Sequence, residues 1–74
     1  METHVDVFLN TDGEKISFIH KKLVEMGFKP TIGDHDYIYE WSGIVTIEEE
    51  IELIDKVQSN LKGSKAILRF SSKR

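Results

Sequence analysis

The sequence contains no cysteine, and this absence removes several kinds of chemistry at once. Disulfide frameworks, thiolate metal sites and cysteine nucleophiles are excluded, and a reducing, cytoplasmic location is the natural expectation. No apolar run approaches the roughly 20 residues that a membrane-spanning helix needs. No basic and then apolar segment of the signal-peptide kind opens the chain, so we expect a protein that is neither membrane-bound nor exported.

Positively charged residues are also few: the sequence has 10 Lys and Arg residues and 13 Asp and Glu residues. The formal net charge of −3 has the wrong sign for a dedicated nucleic-acid-binding protein, whose affinity comes largely from neutralising phosphates. A nucleic-acid partner is therefore disfavoured by charge.

The length and the apolar content of 39% fit one domain that spans residues 1–74. A chain this short buries only about 60% of the surface that it exposes when unfolded. Contact with a second copy or with another protein would add stability, and a homodimer is one expectation.

Two stretches carry signals for both ends of a helix. Thr11-Asp12-Gly13-Glu14 leads to Gly27, and Thr46-Ile47-Glu48-Glu49 leads to Gly63. In each, the Thr hydroxyl can accept from the backbone three residues on, Glu can reach back to the Thr N–H, and Gly can end the helix in a left-handed conformation. The apolar residues between these ends recur at helical spacing. They are Ile16, Ile19, Leu23 and Met26 in the first helix, and Ile47, Ile51, Leu53, Ile54, Val57 and Leu61 in the second.

Extended segments flank both helices. Residues 4–10 and 65–71 alternate between apolar and polar side chains, as half-buried strands do. Residues 28–32 and 37–41 predict two further strands around a turn at residues 33–36, and Pro30 suits an edge strand.

The resulting order βαββαβ resembles the ferredoxin-like sandwich. That resemblance implies an α+β two-layer fold, with a four-stranded antiparallel sheet in the order 4-1-3-2 and both helices on one face. The other face of such a sheet stays open. This fold hosts many unrelated functions, so the open face is where we look for a functional surface.

The alternation assigns side chains of the first and last strands to the two faces. The helix side is expected to take Val5, Val7, Leu9, Ala66, Leu68 and Phe70, and the open side His4, Asp6, Phe8, Asn10, Ile67, Arg69 and Ser71. The third strand has two interpretations, since Tyr37, Tyr39 and Trp41 share one side. Packing favours the aromatic side inward, because the opposite choice buries Asp36 and Glu40.

The leading functional hypothesis is a non-catalytic interaction module. It associates with itself or with a protein partner through Phe8, Ile38, Ile67 and Arg69 on the open face. Apolar side chains exposed on a sheet most often belong to an interface.

The alternative hypothesis is single-stranded RNA binding. If the third strand faces outward, Phe8, Tyr37 and Tyr39 form a stacking platform with Arg69 beside it. Such a platform resembles the base-stacking face of RNA-recognition-motif domains. A weaker third option is a small-ligand sensor that resembles ACT domains, whose dimer interfaces bind amino acids.

Three histidines invite a metal or acid–base interpretation. His35 lies between two aspartates in the predicted turn, and His4 and Asp6 share one face of the first strand. No second cluster at ligand spacing completes a closed zinc site, and turn chemistry explains the aspartates. The phosphate-loop pattern is incomplete, and no spacing supports a catalytic triad. We therefore expect no catalytic residues, no cofactor, no resident metal and no enzymatic activity from this chain alone.

Overall fold

The domain is an α+β two-layer sandwich built in the order βαββαβ. A computed structural model describes residues 1–33 and 35–73. The predicted fold class is confirmed, with all six elements present in the expected order. They are β1 (Glu2–Phe8), α1 (Ile16–Glu25), β2 (Lys29–Pro30), β3 (Tyr37–Glu40), α2 (Ile47–Asn60) and β4 (Ile67–Lys73).

The sheet is antiparallel with strand order β2-β3-β1-β4, which is the expected 4-1-3-2 order read from the other edge. Strand β1 pairs with β4 over its whole length, from Glu2 opposite Lys73 to Phe8 opposite Ile67. This register moves the ends of both strands away from their predicted positions. Strand β1 begins and ends two residues early and β4 two residues late, so Leu9 lies beyond β1 and is exposed rather than packed on the helix side.

The core lies between one face of the sheet and the two helices. Its fully buried side chains come from β1, both helices and the segment that leads into β2, because the apolar positions of each element face the same layer. They include Val5, Ile19, Leu23, Phe28 and Val57. The predicted apolar stripes of the helices are confirmed at their centres and wrong at their amino ends, where Ile16, Ile47 and Ile51 are exposed.

Helix α2 begins with the predicted capping box. The Thr46 hydroxyl accepts from the Glu49 backbone N–H at 3.2 Å, and the Glu49 carboxylate accepts from the Thr46 N–H at 3.3 Å. Two of the donors that a helix start leaves unsatisfied are thereby bonded. The helix ends at Asn60, three residues before the predicted end signal Gly63, which has a φ of +86°.

The matching prediction for α1 is wrong at its start. The helix begins at Ile16, and its N-cap Lys15 has no side-chain hydrogen bond. Asn10 takes over the local bonding instead, because its Oδ1 accepts from Asp12 N at 2.9 Å and its carbonyl accepts from Gly13 N at 2.9 Å. Asn side chains commonly form turns of this kind two residues ahead.

Gly13 belongs to a tertiary junction rather than to a helix cap. The Glu14 N–H donates to the Ser64 carbonyl oxygen at 3.0 Å, which holds the start of α1 against the loop between α2 and β4. A Cβ atom at Gly13 would lie 2.3 Å from that same carbonyl oxygen. The close approach therefore requires glycine.

The end of α1 follows the prediction. The Phe28 N–H donates to Leu23 O and the Gly27 N–H donates to Val24 O, each at 3.0 Å, while Gly27 has a φ of +99°. These two bonds define a Schellman motif, and its usual apolar contact is present because Phe28 and Leu23 share the core. Strand β2 then covers two residues instead of the predicted residues 28–32.

Candidate functional site

The open face of the sheet has an apolar pair at one end. Phe8 and Ile67 lie directly opposite each other on β1 and β4, and they are 54% and 68% exposed. Directly opposite side chains on one face contact each other, so the two form a continuous exposed patch. The predicted positions of both residues on the open face are confirmed by this register.

Apart from Ile38 and Ser71, the rest of the face carries charged and histidine side chains in rows that run across the strands. Arg69 on β4 lies opposite Asp6 on β1, and Lys73 lies opposite Glu2. On the other side of β1, Glu2 is opposite Glu40 and His4 is opposite Ile38. The β4 side of the face is therefore basic, while the β1 and β3 side is acidic.

A histidine cluster covers the middle of β1. The His4 and His35 rings lie with centroids 4.3 Å apart, and His35 Nδ1 is 3.2 Å from Asp6 Oδ1. His4 Nε2 is 3.3 Å from Glu2 Oε1, but no hydrogen bond of good geometry forms, and both buried ring nitrogens of His4 lack a partner within the described chain. The sequence placed His4 and Asp6 together, whereas the position of His35 depends on the fold of the loop after β2.

Among residues 1–33 and 35–73, no group of three or more His, Asp or Glu side chains could hold a metal ion. Asp34, the other acidic neighbour of His35 in the sequence, lies outside the described residues. His35 contacts the His4 ring and Asp6 on the sheet, and its carbonyl oxygen accepts from Thr31 Oγ1. These contacts hold the loop against the sheet.

The third strand turns its aromatic side chains towards the helices. Tyr37 is 6% exposed, and Tyr39 and Trp41 pack against the core. Trp41 Nε1 donates to Thr3 Oγ1 at 2.9 Å, and the Phe28 and Tyr39 rings lie 5.3 Å apart. The favoured interpretation of this strand is confirmed, with Ile38 on the open face.

This orientation removes the aromatic platform that RNA binding was expected to use. Directly paired residues of neighbouring strands share a face, and Tyr37 pairs with Val5, which faces the helices. Tyr37 and Tyr39 therefore lie on the side of the sheet opposite to Phe8 and Arg69. Burial also raises the pKa of the Tyr37 phenol, and the charge of Asp36 raises it further. The hydroxyl shares a 2.8 Å hydrogen bond with His20 Nδ1.

The structure has a groove between α2 and β4 that the sequence did not predict. It has a volume of about 430 Å³, and its lining includes Leu61, Leu68, Phe70 and the two lysines Lys62 and Lys65. Local patterns report which side of a strand is apolar, but the gap between a helix and a sheet edge depends on how the layers stack. The excess of Lys and Arg over Asp and Glu near the end of the sequence is a signal that could have indicated this region as basic.

Comparison of the chain with protein-family models, with curated proteins and with solved structures found no match. Within the described residues, no helix has the length and apolar character needed to cross a membrane. The function is therefore argued from the surfaces themselves.

Proposed function

We propose that this domain is a cytoplasmic, non-catalytic interaction module whose open sheet face binds a second copy of the same chain. The observation that supports this most directly is the exposed pair of Phe8 and Ile67, which no second layer covers. Exposed apolar patches rimmed by polar residues are typical of interaction sites. The cysteine-free composition supports the location.

The charges on the open face favour a second copy as the occupant. A two-fold axis parallel to β1, between two stacked faces, brings the β4 side of one copy over the β3 side of the other. Lys73 then faces the Glu40 of the second copy, and Arg69 faces the end of β3 where Asp36 is exposed. The same axis stacks Phe8 on its own counterpart. The two outer strands are thus complementary across a symmetric interface, while Glu2 and Asp6 of β1 lie over their own counterparts. Lys73 and Arg69, beside them in the same sheet, offset that repulsion.

The size of the face sets the expected affinity. The strands have seven, two, four and seven residues, 20 in all, and each residue covers about 3.3 Å by 4.8 Å, so the flat footprint is about 320 Å². A stable interface of standard size buries about 800 Å² on each partner. We therefore expect a weak dimer with a dissociation constant on the order of 10–100 μM, which corresponds to a binding free energy of about −6.8 to −5.5 kcal/mol.

Sedimentation equilibrium across a dilution series tests this proposal. The wild-type chain should pass from monomer to dimer within the micromolar range. Phe8→Ser should weaken association by about tenfold or more, since the side chain is at the centre of the apolar patch. Ile44→Ser is the matched control, because Ile44 is equally apolar, almost fully exposed and located in the loop before α2.

Three outcomes would overturn the proposal. A chain that stays monomeric at millimolar concentration has no self-complementary face. A dimer unaffected by Phe8→Ser associates through another surface. Salt-sensitive binding of short single-stranded oligonucleotides, lost in Phe8→Ala, would instead support the RNA-binding alternative.

A further inference from the structure

Charge is divided very unevenly along this chain. Residues 56–74 contain six of the ten Lys and Arg residues and no Asp or Glu, which gives the segment a formal charge of +6. Residues 1–55 contain the other four, all lysines, and all thirteen acidic residues, for a charge of −9. The net charge of −3 therefore conceals a basic segment that includes β4.

Strand β4 is an open edge of the sheet. Among the described residues, its one strand neighbour is β1, and its seven residues include no Pro or Gly. The opposite edge is β2, which has two residues and ends in Pro30. Short edge strands with proline resist further pairing, whereas alternate residues of a long regular edge present free N–H and C=O groups.

The groove beside β4 offers apolar surface next to that edge. Leu68 and Phe70 line it from the sheet, and Gln58 lines it from α2. Ile47 and Ile51 precede Gln58 by eleven and seven residues, so helical periodicity puts them on the same side of α2. They are 64% and 51% exposed, which leaves an apolar helix edge without cover on the groove side.

We propose that the β4 edge binds an extended, acidic segment of another protein as a fifth strand. The segment's backbone would bond to the free edge, and its side chains would alternate between the two faces. On the groove side they would lie beside Leu68 and Phe70 and cover Ile51, which calls for apolar residues. On the open side they would lie beside Arg69 and Lys73, which calls for Asp or Glu. The partner is therefore a strand in which apolar and acidic residues alternate.

Charge argues against a second β4 strand as the occupant of this edge. In an antiparallel pair centred on the strand, Arg69 of one copy lies opposite or diagonal to the Arg69 or Lys73 of the other. Like charges in those positions destabilise a strand pair. The same cations that prevent self-pairing attract an acidic strand. This binding extends the sheet along its edge, whereas the open-face dimer stacks two sheets, although Arg69 and Lys73 take part in both.

A nucleic acid is the other polyanion that a basic edge attracts. The apolar groove and the regular row of backbone donors and acceptors favour a peptide, because a phosphodiester chain has no N–H groups to match them. Exposed aromatic rings, on which unpaired bases stack, are absent from the described residues of β4, where Phe70 is half-buried.

Fluorescence anisotropy with three labelled peptides of about eight residues tests the proposal. The first alternates Val and Glu, the second alternates Val and Lys, and the third repeats the first with every backbone amide N-methylated. We expect the first to bind at least about tenfold more tightly than either of the others, since the second reverses the charge and the third cannot donate to the edge.

Variants of the protein locate the binding. Lys73→Glu and Ile51→Ser should each weaken binding of the Val-Glu peptide by about fivefold or more, because Lys73 lies on the open side beside the peptide's Glu residues and Ile51 lies on the helix side of the groove. Lys21→Glu, an exposed lysine on α1, is the matched control for charge and should leave binding unchanged. Phe8→Ser should also bind the peptide normally, which separates this edge from the open face.

Equal affinity for the N-methylated peptide would overturn the proposal, since attraction would then be electrostatic without strand pairing. If Lys21→Glu and Lys73→Glu weakened binding equally, the peptide would bind somewhere other than the β4 edge. A thymidine oligonucleotide that binds more tightly than the Val-Glu peptide and displaces it would reassign the edge to phosphates. Failure of all three peptides to bind at millimolar concentration would also refute the inference.

Discussion

Gly13→Ala should destabilise the domain far more than its surface position suggests. The new Cβ atom would lie 2.3 Å from the Ser64 carbonyl oxygen and 3.1 Å from the Lys65 Cβ, so the two loops must separate by about 1 Å to restore ordinary contact. That movement breaks the hydrogen bond from Glu14 N to Ser64 O, whose loss costs about 1 kcal/mol.

The magnitude follows from three terms. Overpacking costs about 1–3 kcal/mol and the lost hydrogen bond about 1 kcal/mol, while replacing Gly by Ala returns about 0.4–1 kcal/mol by restricting the unfolded chain. The net loss is about 1–3.5 kcal/mol. In a 74-residue domain, 1 kcal/mol changes the melting temperature by about 6 °C, so Tm should fall by about 6–21 °C.

Urea unfolding followed by circular dichroism measures this loss, with thermal unfolding as the second readout. Asp12→Ala is the control, because that side chain is exposed and the turn uses its backbone N–H. The control should stay within about 0.5 kcal/mol of the wild type. The reasoning is refuted if Gly13→Ala is as stable as Asp12→Ala, since the junction with Ser64 would then not be tightly closed.

The two Thr residues that look alike in sequence should respond differently to alanine substitution. Thr46→Ala should cost about 1 kcal/mol in urea unfolding because it removes the capping box, whereas Thr11→Ala should cost less than about 0.5 kcal/mol; equal losses would contradict the assigned start of α1. Stability should also fall as pH rises through the alkaline range, because the folded pKa of Tyr37 is above that of the unfolded chain. The stability that Tyr37 contributes is complete below the pKa of the unfolded chain, near 10, and is lost as the pH rises through the pKa of the folded chain. Tyr37→Phe should flatten this part of the pH profile, and an unchanged profile would contradict the assignment.

Local motifs predicted structure well where the interactions themselves are local. The capping box at Thr46 bonds atoms three residues apart, so the sequence contained everything that forms it. The similar residues at Thr11 form no cap. The Glu14 N–H that Thr11 was expected to accept from donates instead to Ser64 O, far along the chain, while Asn10 accepts from the N–H groups between Thr11 and Glu14. No window around Thr11 includes that contact.

The functional surfaces likewise differ in how far local sequence patterns predict them. Alternation along β1 and β4 predicted that Phe8, Ile67 and Arg69 share the open face, because side chains in a strand change sides with strict period two. The contact between His4 and His35 depends on a loop, and the groove beside β4 depends on the stacking of two layers. Neither has a periodic signal in the sequence.

The pairing of β1 with β4 places the first and last strands of the chain side by side. Glu2 is the direct partner of Lys73, so the Cα atoms of these two residues, near the two ends of the described chain, are about 5 Å apart. A short Gly/Ser linker could join them, with new ends opened at Ser42-Gly43, where no atom lies within 4 Å of a Cβ added to Gly43. In such a circular permutant β4 and β1 become a hairpin. The longest-range pairing in the sheet becomes the most local one, and lower contact order should make this permutant fold faster than the natural chain.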